Sequence, residues 1–190
     1  MYIYLLPLQE ADSLSQVRRI LASRFALPSA RFRTRPDGKP ELLLPDGAPP
    51  LFFNLSHSGE LLAAAFDDAE VGVDIESLSR RISPRLWKRM LSPEEIRSFT
   101  EEFGALPQDP AGLTPALARC LLRRWTLKEA LTKTTGTGLR TDFRTLTVLP
   151  AEDGRFCCPQ IPEVELITFS PGPGYVGAAG RMRTQAQKRL

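Results

Sequence analysis

The run Val71-Gly72-Val73-Asp74-Ile75-Glu76 alternates, so along an extended strand Val71, Val73 and Ile75 face one side and Gly72, Asp74 and Glu76 the other. Carboxylates two residues apart on one strand face repel unless a cation or hydrogen-bond donors lie between them. The pattern therefore suits a hard divalent ion such as magnesium, bound through oxygen, or, more plainly, a solvated acidic face. A second run, Arg123 to Leu139 (RRWTLKEALTKTTGTGL), reads as a helix with a core stripe of Leu127, Ala130, Leu131 and Thr134. On the neighbouring stripe Trp125, Glu129 and Lys133 follow at i, i+4 and i+8. Glu129 is placed to offer the ion a third carboxylate and Lys133 to meet a phosphate oxygen. The same two residues also fit an ordinary Glu-to-Lys helix pair worth about 0.2–0.5 kcal/mol. The one histidine, His57, lies in Ser56-His57-Ser58-Gly59, a polar loop by this reading. Its hydroxyls, amides and imidazole suit a phosphate, although a lone loop histidine is as well explained as a surface residue. With Ser56 directly beside the only histidine, a Ser/His/Asp or Cys/His nucleophilic site is hard to assemble.

The elements that must position these residues can be read from periodicity. Residues 2 to 8 suggest a short strand, and Leu14, Val17, Leu21 and Phe25 the stripe of an amphipathic helix. Asp37-Gly38 marks a turn that puts Lys39 at its tip, within reach of a nucleotide. Leu51 to Leu55 and Leu61 to Phe66 suggest buried strands flanking the Ser56–Gly59 loop, followed by the strand at Val71 to Ile75. Ile82, Leu86 and Met90 are at helical spacing, as is Cys120 to Thr134, and Gly136 and Gly138 end that helix. Ser92-Pro93-Glu94-Glu95 has the form of a helix start, with Ser92 as N-cap, Pro93 in the first turn and Glu95 at the capping-box position. Gly104 to Pro115, rich in Pro, Gly and Ala, is expected to be a mobile connector. LSHSGELLAAA (Leu55 to Ala65) aligns without a gap on FSPGPGYVGAA (Phe169 to Ala179), and each is preceded by an Asp-Gly turn, Asp37-Gly38 or Asp153-Gly154. If the similarity is structural, the chain holds two copies of one lobe with function in the cleft between them.

Composition bounds the rest. The 190 residues carry a net charge of +3, with 42% hydrophobic and 25% charged residues, inside the range of globular proteins. Three cysteines, Cys157 and Cys158 adjacent and Cys120 apart, make neither a disulfide framework nor a zinc set, and fit a reducing compartment. The first residues, MYIYLLPL, lack the basic lead and apolar length of a signal peptide, and no segment is long enough to span a membrane. A cytoplasmic protein is expected. Nucleic-acid binding is disfavoured, because basic and aromatic residues are not interleaved and no module signature is present.

In chain order the sequence contains GKP (Gly38 to Pro40), FNLSHSG (Phe53 to Gly59), VGVDIE (Val71 to Glu76) and WTLKEALTKTTGTGL (Trp125 to Leu139). With these motifs it resembles the 4'-phosphopantetheinyl transferases of the larger, pseudo-dimeric, surfactin-synthetase-activator type. The resemblance covers about the central half of the chain. It implies an α+β fold of two similar α/β lobes in pseudo-two-fold arrangement, with coenzyme A and magnesium in the cleft between them. The expected boundaries are an N-terminal lobe at 1–100, a connector at 101–118 and a C-terminal lobe at 119–190. The implied reaction moves the phosphopantetheine arm of coenzyme A onto a serine of an acyl or peptidyl carrier protein, releasing adenosine 3',5'-bisphosphate.

Residue by residue, the resemblance makes Asp74, Glu76 and Glu129 the magnesium ligands and Lys133 a contact to the pyrophosphate. Ser56 and His57 are expected at a coenzyme A phosphate, and Gly38, Lys39 and Pro40 at its adenine end. The proton of the attacking serine is assigned to Glu95, with Glu94 and a metal-bound hydroxide as competitors. Larger family members carry an Arg- and Lys-bearing N-terminal stretch for the 3'-phosphate, whereas the first basic residues here are Arg18 and Arg19. The segment Arg80, Arg81, Arg85, Lys88, Arg89 concentrates positive charge where an acidic carrier is expected to dock, or else forms a solvated helix face. A monomeric transferase is the main expectation. A non-catalytic module that binds coenzyme A or a carrier on the same fold is the alternative, disfavoured because the three carboxylates and Lys133 are all present.

Overall fold

Strand segments with apolar residues on both faces need cover on both sides, and this chain supplies it with helices outside and a second sheet within. The computed structural model describes residues 1–8, 12–36, 38–151 and 153–184. Its elements are β1 (Tyr2–Pro7), α1 (Ser13–Arg24), β2 (Arg31–Thr34), β3 (Pro40–Leu43), β4 (Phe52–Ser58), β5 (Leu61–Asp67), β6 (Val71–Ser77), α2 (Pro84–Met90), α3 (Pro93–Phe103), α4 (Pro115–Thr135), β7 (Leu149–Pro150), β8 (Phe156–Cys157), β9 (Val164–Phe169) and β10 (Tyr175–Met182). One sheet has the order β1-β5-β4, a second β6-β10-β9-β8-β7, and β2 with β3 forms a separate ribbon.

The two larger sheets share a plan: the first strand of each pairs with the last, which pairs with the one before it. LSHSGELLAAA and FSPGPGYVGAA fall on the corresponding hairpins, β4–β5 and β9–β10. The chain passes from the first sheet to the second between Asp67 and Val71. Hence β6, which a boundary at residue 100 groups with the N-terminal lobe, joins the second sheet, and α2 and α3 pack on α4, Phe143 and Val176 of β10. In the first lobe Val17, Ile20 and Leu21 of α1 bury against Phe53, Ala64 and Phe66. In the second, Leu127, Ala130 and Leu131 of α4 bury against Val164, Leu166 and Ala178. Ala63 and Ala65 on the other face of β5 meet Val71, Val73, Ile75 and Ala179, so small residues let the lobes close.

The lobes are joined by a seam of side chains. Strand β4 extends to Ser58, and Asn54 Oδ1, Ser56 Oγ and Ser58 Oγ accept hydrogen bonds from the Val73, Ile75 and Ser77 amides of β6 at 2.9, 3.2 and 3.0 Å. This corrects the expectation of a loop at Ser56-His57-Ser58-Gly59. The alternation of Asn54, Ser56 and Ser58 is a strand period whose polar face meets a backbone instead of water, and the turn is only Gly59-Glu60.

Helix α4 is the bracket of the second lobe. Thr114 caps it through the Leu117 amide at 3.2 Å, Pro115 opens it, and Gly136 ends it in the left-handed region at φ +73°. Its approach to β6 is close: a Cβ at Gly72 would overlap the Ala130 carbonyl and the Thr134 amide. Ile82 lies ahead of α2, while Leu86 and Met90 lie on it. Residues 104–114 include a short 3-10 turn at Pro110–Gly112, and Leu106 and Leu113 pack on the α2–α3 core. Asp37 lies outside the described residues; Gly38 of that turn has φ +85°.

Candidate active site

Antiparallel packing of α4 on β6 brings together the two motifs richest in chemistry. Trp125 Nε1 donates to Glu76 Oε1 at 3.2 Å at one end of the contact, and Lys133 Nζ donates to Asp74 Oδ1 at 2.8 Å and to the Val73 carbonyl at 3.1 Å at the other. Glu129 lies between them on the same helical stripe. Asp74 is buried; its Oδ1 also accepts from Ser56 Oγ at 2.8 Å, and its Oδ2 is buried without a hydrogen-bond partner. Burial pushes the Asp74 carboxyl above the ordinary aspartate range, against the opposing pull of Lys133, Ser56 and Arg80. Glu129 is pushed upward too, first by burial and then by the negative charge of Asp74. An orphaned carboxylate oxygen beside a second, mutually repelling carboxylate is a donor set that suits a cation.

Glu76 is differently placed. Ser58 Oγ donates to its Oε2 at 3.2 Å and the Arg80 guanidinium pairs with its Oε1. Among the described residues, no three His, Cys, Asp or Glu side chains are gathered closely enough to enclose a metal. Among the described residues none donates a hydrogen bond to the Glu129 carboxylate; its backbone carbonyl accepts from Thr132 Oγ1 at 3.2 Å. The oxygen donors of Asp74 and Glu129 are of the kind a hard cation such as magnesium takes, while Glu76 is paired with Arg80 and Asp74 with Lys133.

A cavity of about 220 Å³ beside this cluster is lined by Lys39, Pro40, Asn54, Leu55, Thr132, Lys133, Gly136 and Gly138. Segments far apart in sequence meet there: the GKP turn, the FNLSHSG strand and the C-terminal end of α4. Lys39 Nζ bonds Glu70 Oε2, the Val71 carbonyl and the Lys133 carbonyl at 3.1, 3.1 and 3.3 Å, tying the β2–β3 ribbon to β6 and α4. His57 is exposed and continues the β4 face of Leu55, a cavity-lining residue. Ser56 was expected at a phosphate. Its buried hydroxyl is committed to Asp74 and the Ile75 amide, so it braces the acidic cluster instead.

Glu95 is also corrected. Its capping box with Ser92 is present, but the carboxylate is 1% exposed and fully engaged: Oε2 accepts from the Ser92 amide at 2.9 Å and Lys128 Nζ at 2.5 Å, and Oε1 from the Val148 amide at 2.9 Å. Lys128 in turn donates to the Met90, Phe143 and Leu146 carbonyls. Lys128 and Glu129 leave α4 about 100° apart, so this buried knot lies away from Asp74. The capping role of Glu95 is legible in the sequence and the part played by Lys128 is not, because its place next to Glu129 hides that it points to a different side of α4.

A larger cleft, about 730 Å³, opens on the other side of Trp125 and is lined by Leu86, Trp125 and Phe143 among Arg85, Arg89, Arg140 and Arg144. Arg85 and Arg89 come from the expected basic segment, whereas Arg140 and Arg144 were not singled out. Arg80 turns inward to Glu76 and leaves that set.

Residues 70–176, which contain both carboxylate-bearing elements, match the 4'-phosphopantetheinyl transferase superfamily, and the chain belongs to it. It is 32% identical over 165 residues to the 4'-phosphopantetheinyl transferase psf-1 of Bacillus pumilus, covering 84% of this chain and 64% of that protein. Against the 4'-phosphopantetheinyl transferase Sfp of Bacillus subtilis it is 30% identical over 165 residues, 84% of this chain and 67% of the relative. The chain thus spans about two thirds of the length of these curated relatives. The crystal structure of a holo-ACP-synthase from Plasmodium yoelii overlays 62% of this chain and 96% of its own, with a TM-score of 0.44 at 16% identity.

Proposed function

We propose that the protein is a magnesium-dependent holo-[carrier-protein] synthase, which transfers the 4'-phosphopantetheine arm of coenzyme A to a serine of an acyl or peptidyl carrier protein. The observation that carries this reading is Lys133, which bonds the buried Asp74 and also lines the cavity shared with the GKP turn and β4. Membership of the superfamily and the relatives' names support the reaction class. Among the described residues no helix is long and apolar enough to cross a membrane. A cytoplasmic monomer fits, because two lobes of one chain supply both walls of the cavity.

In the proposed reaction the serine oxygen attacks the phosphorus that bears the pantetheine arm, the phosphoanhydride bond breaks, and adenosine 3',5'-bisphosphate leaves. Such transfers depend on positioning and charge neutralisation more than on covalent help. Asp74, Glu76 and Glu129 would hold magnesium, which when bound neutralises the pyrophosphate. Lys133 places an ammonium at the same phosphates, and Ser56 fixes the Asp74 carboxylate against it. His57 reaches a phosphate from the Leu55 face of β4, and Gly38, Lys39 and Pro40 hold the adenine end. With Glu95 sealed in the knot, the serine proton goes to a carboxylate outside it, and Glu129 is the member of the acidic cluster whose carboxylate accepts no hydrogen bond from a described residue. The carrier docks at the arginine cleft beside Trp125.

The test is to mix the protein with an apo carrier, coenzyme A and magnesium, and to follow the carrier by mass. One phosphopantetheine should appear on the serine, and Asp74→Ala should abolish it. Wild-type rates in Asp74→Ala at saturating magnesium would overturn the site. Coenzyme A binding without transfer would favour the non-catalytic module.

A further inference from the structure

We infer that Arg80 is a built-in, displaceable counter-ion, which holds Glu76 until a divalent cation takes its place. The inference rests on the reading of the carboxylates as cation ligands. Arg80 stands at the end of the turn after β6, its amide donating to the Ser77 carbonyl at 3.0 Å. Its guanidinium pairs with Glu76 Oε1 and lies over the Trp125 ring, 5.2 Å from the centroid. The partners differ in freedom. The Glu76 side chain is 13% exposed and anchored by Ser58 and Trp125, whereas that of Arg80 is 36% exposed and attached through a flexible stem. The arginine can swing away without moving the backbone, while the carboxylate stays where a cation needs it.

Charge balance gives the exchange its direction. Asp74, Glu76 and Glu129 face two cations, Lys133 on Asp74 and Arg80 on Glu76, and the field of Arg80 reaches Asp74 and Glu129 as well. With both cations in place the cluster keeps one net negative charge. When Arg80 leaves, it has two, the complement of a divalent ion. In the paired state the guanidinium also rests on the Trp125 face, and its partial exposure opens a path into solvent when it leaves Glu76.

The experiment is direct binding of Mn2+, by electron paramagnetic resonance, to the full chain without coenzyme A, in wild type, Arg80→Met and Arg80→Lys. Removing the competing charge should tighten Mn2+ binding in Arg80→Met by about ten-fold, while Arg80→Lys stays near wild type. An arginine that merely braced Glu76 would leave a site of equal or weaker affinity after its loss. Equal or weaker binding in Arg80→Met, with cation binding still present in wild type, overturns the counter-ion and leaves the proposed function standing. No binding in any of the three overturns the carboxylate site and the counter-ion with it. Arg80→Gln, which keeps a donor for Glu76 without the charge, repeats the comparison if Arg80→Met fails to fold.

Discussion

Lys128 and Glu129 are neighbours in the chain that do unrelated work. Lys128 has no exposed surface and is pressed below the ordinary lysine pKa by burial, while Glu95 opposes the shift. Glu95→Gln leaves the ammonium buried without its counter-charge, which typically costs about 3–5 kcal/mol. Because the folded-state pKa of Lys128 lies below its unfolded value, the penalty is fully present at low and neutral pH. It fades as pH rises through the depressed folded value toward about 10.4. Thermal melts should therefore show Glu95→Gln far below wild type at neutral pH, with the gap narrowing in alkaline buffer; a gap that does not change with pH would place the loss elsewhere. The same residues mark what the sequence could reveal. Asp74, Glu129 and Lys133 were legible because strand and helix periods put them on defined faces. The engagement of Glu76 by Arg80, and of Ser56 by Asp74, was not, since partners 4 and 18 residues apart are chosen by tertiary packing that no period records.

At the scale of elements, α4 and β6 touch so closely that Gly72 has no room for a side chain, and the obstructing atoms are the helix backbone at Ala130 and Thr134. Backbone in a long helix cannot turn aside as a rotamer can. Gly72→Ala should accordingly cost at or above the upper end of the ~1–3 kcal/mol usual for overpacking. That is a fall of about 6–12 °C in melting temperature for a domain of this size, and calorimetry would check it. Cation affinity should fall as well, because moving α4 off β6 parts Glu129 from Asp74. Most elements were readable from apolar stripes and capping residues: α1, the Ser92 start of α3 and the Gly136 end of α4 follow directly. The course of β4 was not, because Ser and His near a Gly look like a loop until a second strand is known to accept their polar face.

For the whole molecule, the arginine cleft gathers Arg85, Arg89, Arg140 and Arg144 beside Trp125, and among its described lining residues Asp142, bonded to Arg144, is the acidic one. If an acidic carrier docks there, kcat/KM for the carrier should fall steeply between about 50 mM and about 500 mM salt as screening shortens, and Arg89→Glu should flatten that slope. KM for coenzyme A should respond much less; equal responses would move docking elsewhere. The seam between the lobes has a different consequence. Along β6 the amides of Val73, Ile75 and Ser77 are held by single side chains of β4, and the alternation of amide direction along an antiparallel strand turns those of Gly72, Asp74 and Glu76 toward β10. One strand therefore carries two interleaved clocks. In hydrogen exchange, the odd-numbered amides should lose protection whenever the lobes part, and the even-numbered ones only when the second sheet itself comes undone. Breathing between the halves would be written in the parity of residue numbers.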